Sequence, residues 1–112
     1  MPTFTRENYD ELRVLVVTGE IDVYTKTQFA DALNSLDASA PCVLIDFCMS
    51  TYFDSSALTE LIRFRNARIG QKVMLAVPHL NGQRILRISG LDRAFTLAKC
   101  VHGGDVELAS TG

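Results

Sequence analysis

Three short apolar runs, rich in β-branched residues, limit what this chain can become: Val14–Thr18 (V-L-V-V-T), Val43–Phe47 (V-L-I-D-F) and Val73–Val77 (V-M-L-A-V). Each has the length of a strand and almost none of the polar alternation of a strand with one wet face, so each reads as a buried strand. Helical periodicity lies between them. Phe29, Ala32, Leu33 and Leu36 fall on one helix face, and Thr25 with Gln28 reads as a capping box at its start. A second helix is expected from about Ser56, with Leu58, Leu61, Ile62 and Arg65 or Ile69 inward and Gly70 closing it. A third, Asn81–Ser89, turns Ile85 and Ile88 inward and ends at Gly90. Phe4–Arg6 is a weaker strand that pairs with Val14–Thr18 as a hairpin, Phe95–Ala98 is a last short strand, and Asp105–Ala109 reads as a final turn or two of helix. Strands alternating with helices indicate βαβ units with right-handed crossovers. The expected class is α/β, with a mixed, mainly parallel sheet, an N-terminal hairpin and helices packed on it.

The chain has 112 residues, enough for one domain spanning 1–112, and 47% of them are hydrophobic, enough for an ordinary core. The formal net charge of −2 conceals a division: residues 1–60 hold ten acids and three bases, residues 61–112 three acids and eight bases. The small total speaks against a nucleic-acid binder. No run approaches the roughly 18 apolar residues of a membrane span, and the N-terminus has no signal-peptide layout. Cys42, Cys48 and Cys100 form an odd set without C-x-x-C, and His79 and His102 stand alone, so neither a metal site nor a disulfide framework is expected. The thiols read as reduced and buried, Cys48 as an inert half-buried thiol with a redox-sensitive one as the alternative, and the chain as cytoplasmic.

Two segments could carry function, each at the carboxyl end of a strand and just before a helix, the edge where α/β sheets present their sites. In Thr51–Leu58 (T-Y-F-D-S-S-A-L), Asp54, Ser55 or Ser56 can cap the following helix. The segment holds more polar residues than one cap needs. A serine at a helix N-terminus is also a good place for a phosphate, and a phosphoserine beside Asp54 would add about −1.5 to −2 charges that repel a docked partner. In Gly19–Thr25 (G-E-I-D-V-Y-T), Gly19 makes a turn and Thr25 caps; if the two strands are neighbours, Asp22 and Asp54 share a rim, with Asp46 near them and Ser55 between. Most of the basic half, Arg63, Arg65, Arg68, Lys72, Arg84, Arg87 and Arg93, falls on or beside the second and third helices.

Signatures of enzymes are absent. The chain has no G-x-x-x-x-G-K-[ST], no G-x-G-x-x-G and no G-x-S-x-G, and neither histidine has a neighbouring acid that would mark a triad. A hydrolase using Ser55 or Ser56 lacks a visible base. No catalytic residue, cofactor or metal is expected.

The runs G-E-I-D-V-Y-T, V-L-I-D-F and F-D-S-S-A-L, followed by I-G-Q-K-V-M-L-A-V and I-S-G-L, resemble the STAS domain of bacterial anti-sigma factor antagonists over about residues 4–109. The resemblance implies partner switching. The unphosphorylated form binds an anti-sigma factor, an ATP-dependent serine kinase, and frees the sigma factor; phosphorylation blocks binding, and a PP2C-type phosphatase reverses it. The phosphorylated serine maps onto Ser55, and the partner-binding residues onto Asp22, Tyr24, Thr25, Asp54, Ser55, Ser56 and Ala57. The family has glycine where this chain has Ala57, and the added methyl is expected to slow phosphorylation or alter docking. The same resemblance also covers non-switching subunits of stressosome-like or lipid-transport assemblies.

Overall fold

The computed structural model describes residues 1–77, 80–100 and 106–108. Strands β1 (Thr3–Tyr9), β2 (Leu12–Ile21), β3 (Cys42–Phe53), β4 (Lys72–Ala76), β5 (Thr96–Cys100) and β6 (Val106–Leu108) form one sheet in the order β1-β2-β3-β4-β5-β6. The β1–β2 hairpin and the β5–β6 pair are antiparallel, and the three joints between them are parallel. Helices α1 (Lys26–Asn34), α2 (Ser55–Ala67) and α3 (Leu80–Ser89) make the crossovers. Strands added in chain order through right-handed crossovers leave all three helices on one face of the sheet. The described helices are each shorter than a membrane span.

The larger core lies under those helices. Leu15, Val17, Val43, Ile45, Phe47 and Leu75 from the strands meet Phe29 and Leu33 of α1, Leu58, Leu61 and Phe64 of α2, and Leu86 of α3. A chain of rings runs through it from hairpin to site: Phe4–Phe29 at 6.1 Å, Phe29–Phe47 at 5.8 Å and Phe47–Phe53 at 5.0 Å between centroids. Each such contact contributes roughly 0.5–1.5 kcal/mol beyond its buried area. The helix-free face carries a smaller cluster, with Val14, Leu44, Met74, Ala76 and Ala98 buried and Leu12, Val16 and the three cysteines beside them. Apolar groups on both faces explain why these strands lack alternation.

Several expectations need correction. β3 does not stop at Phe47 but continues through a polar stretch to Phe53, carried by pairing with β2 alone. On α2 the inward residues are Ala57, Leu58, Leu61 and Phe64, whereas Ile62 is exposed, Ile69 lies exposed beyond the helix end, and Arg65 lays its guanidinium over the Phe95 ring. On α3, Leu86 is buried and Ile88 exposed. Residues 106–108 form a strand rather than a helical turn. Cys48 and Cys100 are joined as a disulfide, with Cys42 free. Pro78, His79 and His102 lie outside the described residues.

Candidate functional site

β2 and β3 run side by side, and their last residues, Ile21 and Phe53, are register partners. Asp22 and Asp54 therefore leave the sheet together. The Asp54 amide donates to the Ile21 carbonyl at 3.2 Å, and the Ser50 hydroxyl donates to the Gly19 carbonyl at 2.8 Å, which clamps the two exits to one another. Gly19 lies inside β2 at φ +84°, beside a register shift, and a Cβ there would stand 3.0 Å from Pro2 Cα. Only glycine fits that conformation and that space comfortably.

The first exit is closed by its acid. An Asp22 carboxylate oxygen accepts from the Tyr24 amide (2.9 Å), the Thr25 amide (3.1 Å) and the Thr25 hydroxyl (3.2 Å). Thr25 stands at the N-cap position of α1 as expected, but its side chain makes no capping bond. The hydroxyl points back into the turn, where it accepts from the Asp22 amide at 2.9 Å and also reaches the Glu20 carbonyl at 3.2 Å. The turn thus replaces the expected capping box. Tyr24 projects from it, 88% exposed.

The second exit is a capped helix. Asp54 is extended at the N-cap of α2 and its carboxylate accepts from the Ser56 amide at 2.8 Å. Ser55, the first residue of the helix, is exposed, and among the described residues its hydroxyl has no hydrogen-bond partner. Ser56 is half-buried. Ala57 belongs to the core and is fully buried, so its methyl is not part of the surface that a partner would meet. Neither Asp22 nor Asp54 has an ion-pair partner among the described residues.

Asp46 does not join this rim. It sits on the helix-free face, eight positions back along β3, buried, with its carboxylate accepting from the Cys48 amide at 2.8 Å. Burial raises its pKa above the ordinary carboxyl value, with nearby Glu7 adding to the rise and the Cys48 amide opposing it. In its place the structure brings an aromatic to the rim. Tyr52, the register partner of Glu20, is 42% exposed, and Val23 and Met49 are exposed as well. Nothing local in the sequence marks Tyr52 as part of this edge, because the stretch after Phe47 has no strand signal of its own.

The basic residues have work of their own on α2. Arg63 pairs with Glu60 at 3.1 Å, and Arg68 covers the Phe64 ring at 4.7 Å while donating to the Leu36 carbonyl at 2.8 Å. What remains at the carboxyl edge of β2 and β3 is an exposed serine flanked by acids and aromatics.

The STAS domain family profile matches residues 3–104. The chain belongs to the STAS-domain family. It is 26% identical over 102 residues to the anti-sigma-F factor antagonist RsfB of Mycobacterium tuberculosis, covering 89% of this chain and 84% of that one. The crystal structure of an anti-sigma factor antagonist from Mycobacterium paratuberculosis superposes with a TM-score of 0.81 at 25% identity, over 87% of this chain and 85% of that one. The Bacillus cell fate determinant SpoIIAA in its phosphorylated form shares the fold, with a TM-score of 0.67 at 16% identity over 89% and 93% of the two chains.

Proposed function

We propose that this protein is an anti-sigma factor antagonist that works by partner switching in the cytoplasm. Unphosphorylated, it binds an anti-sigma factor through the rim formed by Asp22, Tyr24, Thr25, Asp54, Ser55 and Ser56, and the sigma factor is released. The anti-sigma factor is an ATP-dependent serine kinase that phosphorylates Ser55 and thereby ends the complex; a PP2C-type phosphatase restores it. The observation that carries the reading is the exposed Ser55 hydroxyl, without a hydrogen-bond partner among the described residues, at the first position of α2 beside an acid that already caps the helix. The relatives' names and the STAS match support the choice of partner class.

A phosphate on Ser55 would add charge to a rim that already carries Asp22 and Asp54. Like charges confined to a docking surface cost binding. The test is incubation with the cognate anti-sigma kinase and ATP, followed by peptide mass spectrometry. Phosphate on Ser55 is expected, and its absence with an active kinase rejects the switch. In binding measurements Ser55→Asp is expected to weaken the complex at least about tenfold, equivalent to ~1.4 kcal/mol, while Ser55→Ala keeps it.

A further inference from the structure

The described residues contain one more cluster of reactive side chains, on the sheet face opposite the helices: Asp46, Cys48 and Cys100, whose carboxylate oxygen and two sulfurs lie within 4.8 Å of one another. Its position follows from the unequal lengths of the strands. Asp46, Ala76 and Ala98 form one row across β3, β4 and β5, and β4 ends there. β3 and β5 continue past that row, reaching Cys48 and Cys100 two residues further on. Strands two places apart are normally about 10 Å apart, yet the Cα atoms of Cys48 and Cys100 stand 5.6 Å apart, bridged by their sulfurs. Both cysteines are only half-buried.

We propose that Cys48–Cys100 is a redox-active cystine, opened and re-formed by thiol–disulfide exchange with a dithiol or glutathione-type carrier, with Asp46 carrying the proton. In the reducing direction a carrier thiolate attacks one of the two sulfurs and forms a mixed disulfide. The S–S bond breaks, its electron pair stays on the other sulfur, and that thiolate takes a proton from the Asp46 carboxyl, directly or through one water. A second carrier thiol then resolves the mixed disulfide. The carrier leaves as a disulfide, oxidised by two electrons, and Cys48 and Cys100 are left as thiols. Oxidation runs the same steps backwards, with the Asp46 carboxylate as proton acceptor.

Three features support this over a purely structural bond. Both cysteines are half-buried rather than enclosed in the core, and exposure is what makes a cystine open to exchange. A buried carboxyl with a raised pKa stands beside them and can hold a proton at higher pH than an exposed one. In a reducing compartment, moreover, disulfides are transient or redox-sensing far more often than structural.

The experiment uses the isolated chain with Cys42→Ser, so that the free thiol does not scramble the pair, and needs no partner; its outcome is independent of the switch at Ser55. The folded protein is equilibrated in dithiothreitol or glutathione buffers, quenched by alkylation and weighed, with circular dichroism recording the fold. Cys48 and Cys100 are expected to be alkylated together under reducing conditions with the fold retained, and to re-pair on transfer to oxidised glutathione. Asp46→Asn is expected to slow exchange about tenfold or more and to remove the carboxyl limb of its pH profile. Reduction that occurs only on unfolding overturns the proposal, as does an Asp46→Asn pH profile that matches wild type. So does a reduced chain that retains one equivalent of Zn(II) and shields both thiols, since the triad would then be a metal centre.

Discussion

The two strand-to-helix junctions at the site have similar compositions and opposite constructions. In Gly19–Thr25 the acid is spent inside its own turn, accepting from Tyr24 and from both the amide and the hydroxyl of Thr25. In Thr51–Ser56 the acid is spent on the helix end, through one bond to the Ser56 amide, and the neighbouring serine hydroxyl has no partner among the described residues. An acid followed by hydroxyl residues therefore does not define a role. What separates the two is which donor reaches the carboxylate first. The turn makes a hydrogen-bonded shoulder, and the capped helix carries an exposed hydroxyl beside it.

This contrast can be broken experimentally. The largest effect is expected from Ala57→Leu, which forces extra volume into the fully buried position beneath the capped helix and costs about 1–3 kcal/mol in chemical denaturation. A neutral result there would mean that the junction is looser than its burial indicates. Asp22→Ala removes three acceptor bonds and is expected to cost about 2 kcal/mol, against about 1 kcal/mol for Asp54→Ala, which removes one cap. The reverse order would show that the turn is not the more tightly built junction.

Asp46→Asn supplies a control from neither junction. The Asp46 carboxyl has a raised folded pKa, so its ionisation costs the folded state more than the unfolded one as pH rises from about 4. The variant is expected to melt a little higher at neutral pH, and the gain to vanish as pH falls below about 4, where the wild-type group is protonated in both states. A pH-independent difference would assign the effect to packing instead. The smallest effect is expected from Ser55→Ala, within about 0.5 kcal/mol of wild type, because the hydroxyl holds nothing in place. A larger loss would mark Ser55 as structural.

Much of the fold was legible in the three apolar runs and in Phe29, Ala32 and Leu33, because a residue pattern with one period has one way to be buried. The second half of β3 was not, since Cys48–Tyr52 owes its extended form to β2 and not to its own composition. Ile62 and Ile88 misled for a related reason: hydrophobicity marks a candidate for burial, whereas the neighbours of α2 and α3 select Phe64 and Leu86. The pairing of Asp22 with Asp54 on one edge was readable once two adjacent parallel strands were assumed. Asp46 falls away from that edge because it lies well before the end of β3, a separation that shows only once the full length of that strand is known. The link between Cys48 and Cys100 spans 52 residues and arises from where β4 ends, which no local motif records.

The clamp between the two exits has a mechanical consequence. With the Asp54 amide bonded to the Ile21 carbonyl and the Ser50 hydroxyl to the Gly19 carbonyl, the backbone leading into Ser55 is tied to the neighbouring strand. Under the proposed switch the protein would have one shape and two readings, like a key whose cut stays the same while its coating changes. The information would reside in the chemistry of a single oxygen atom, and a partner could read it without waiting for the domain to move.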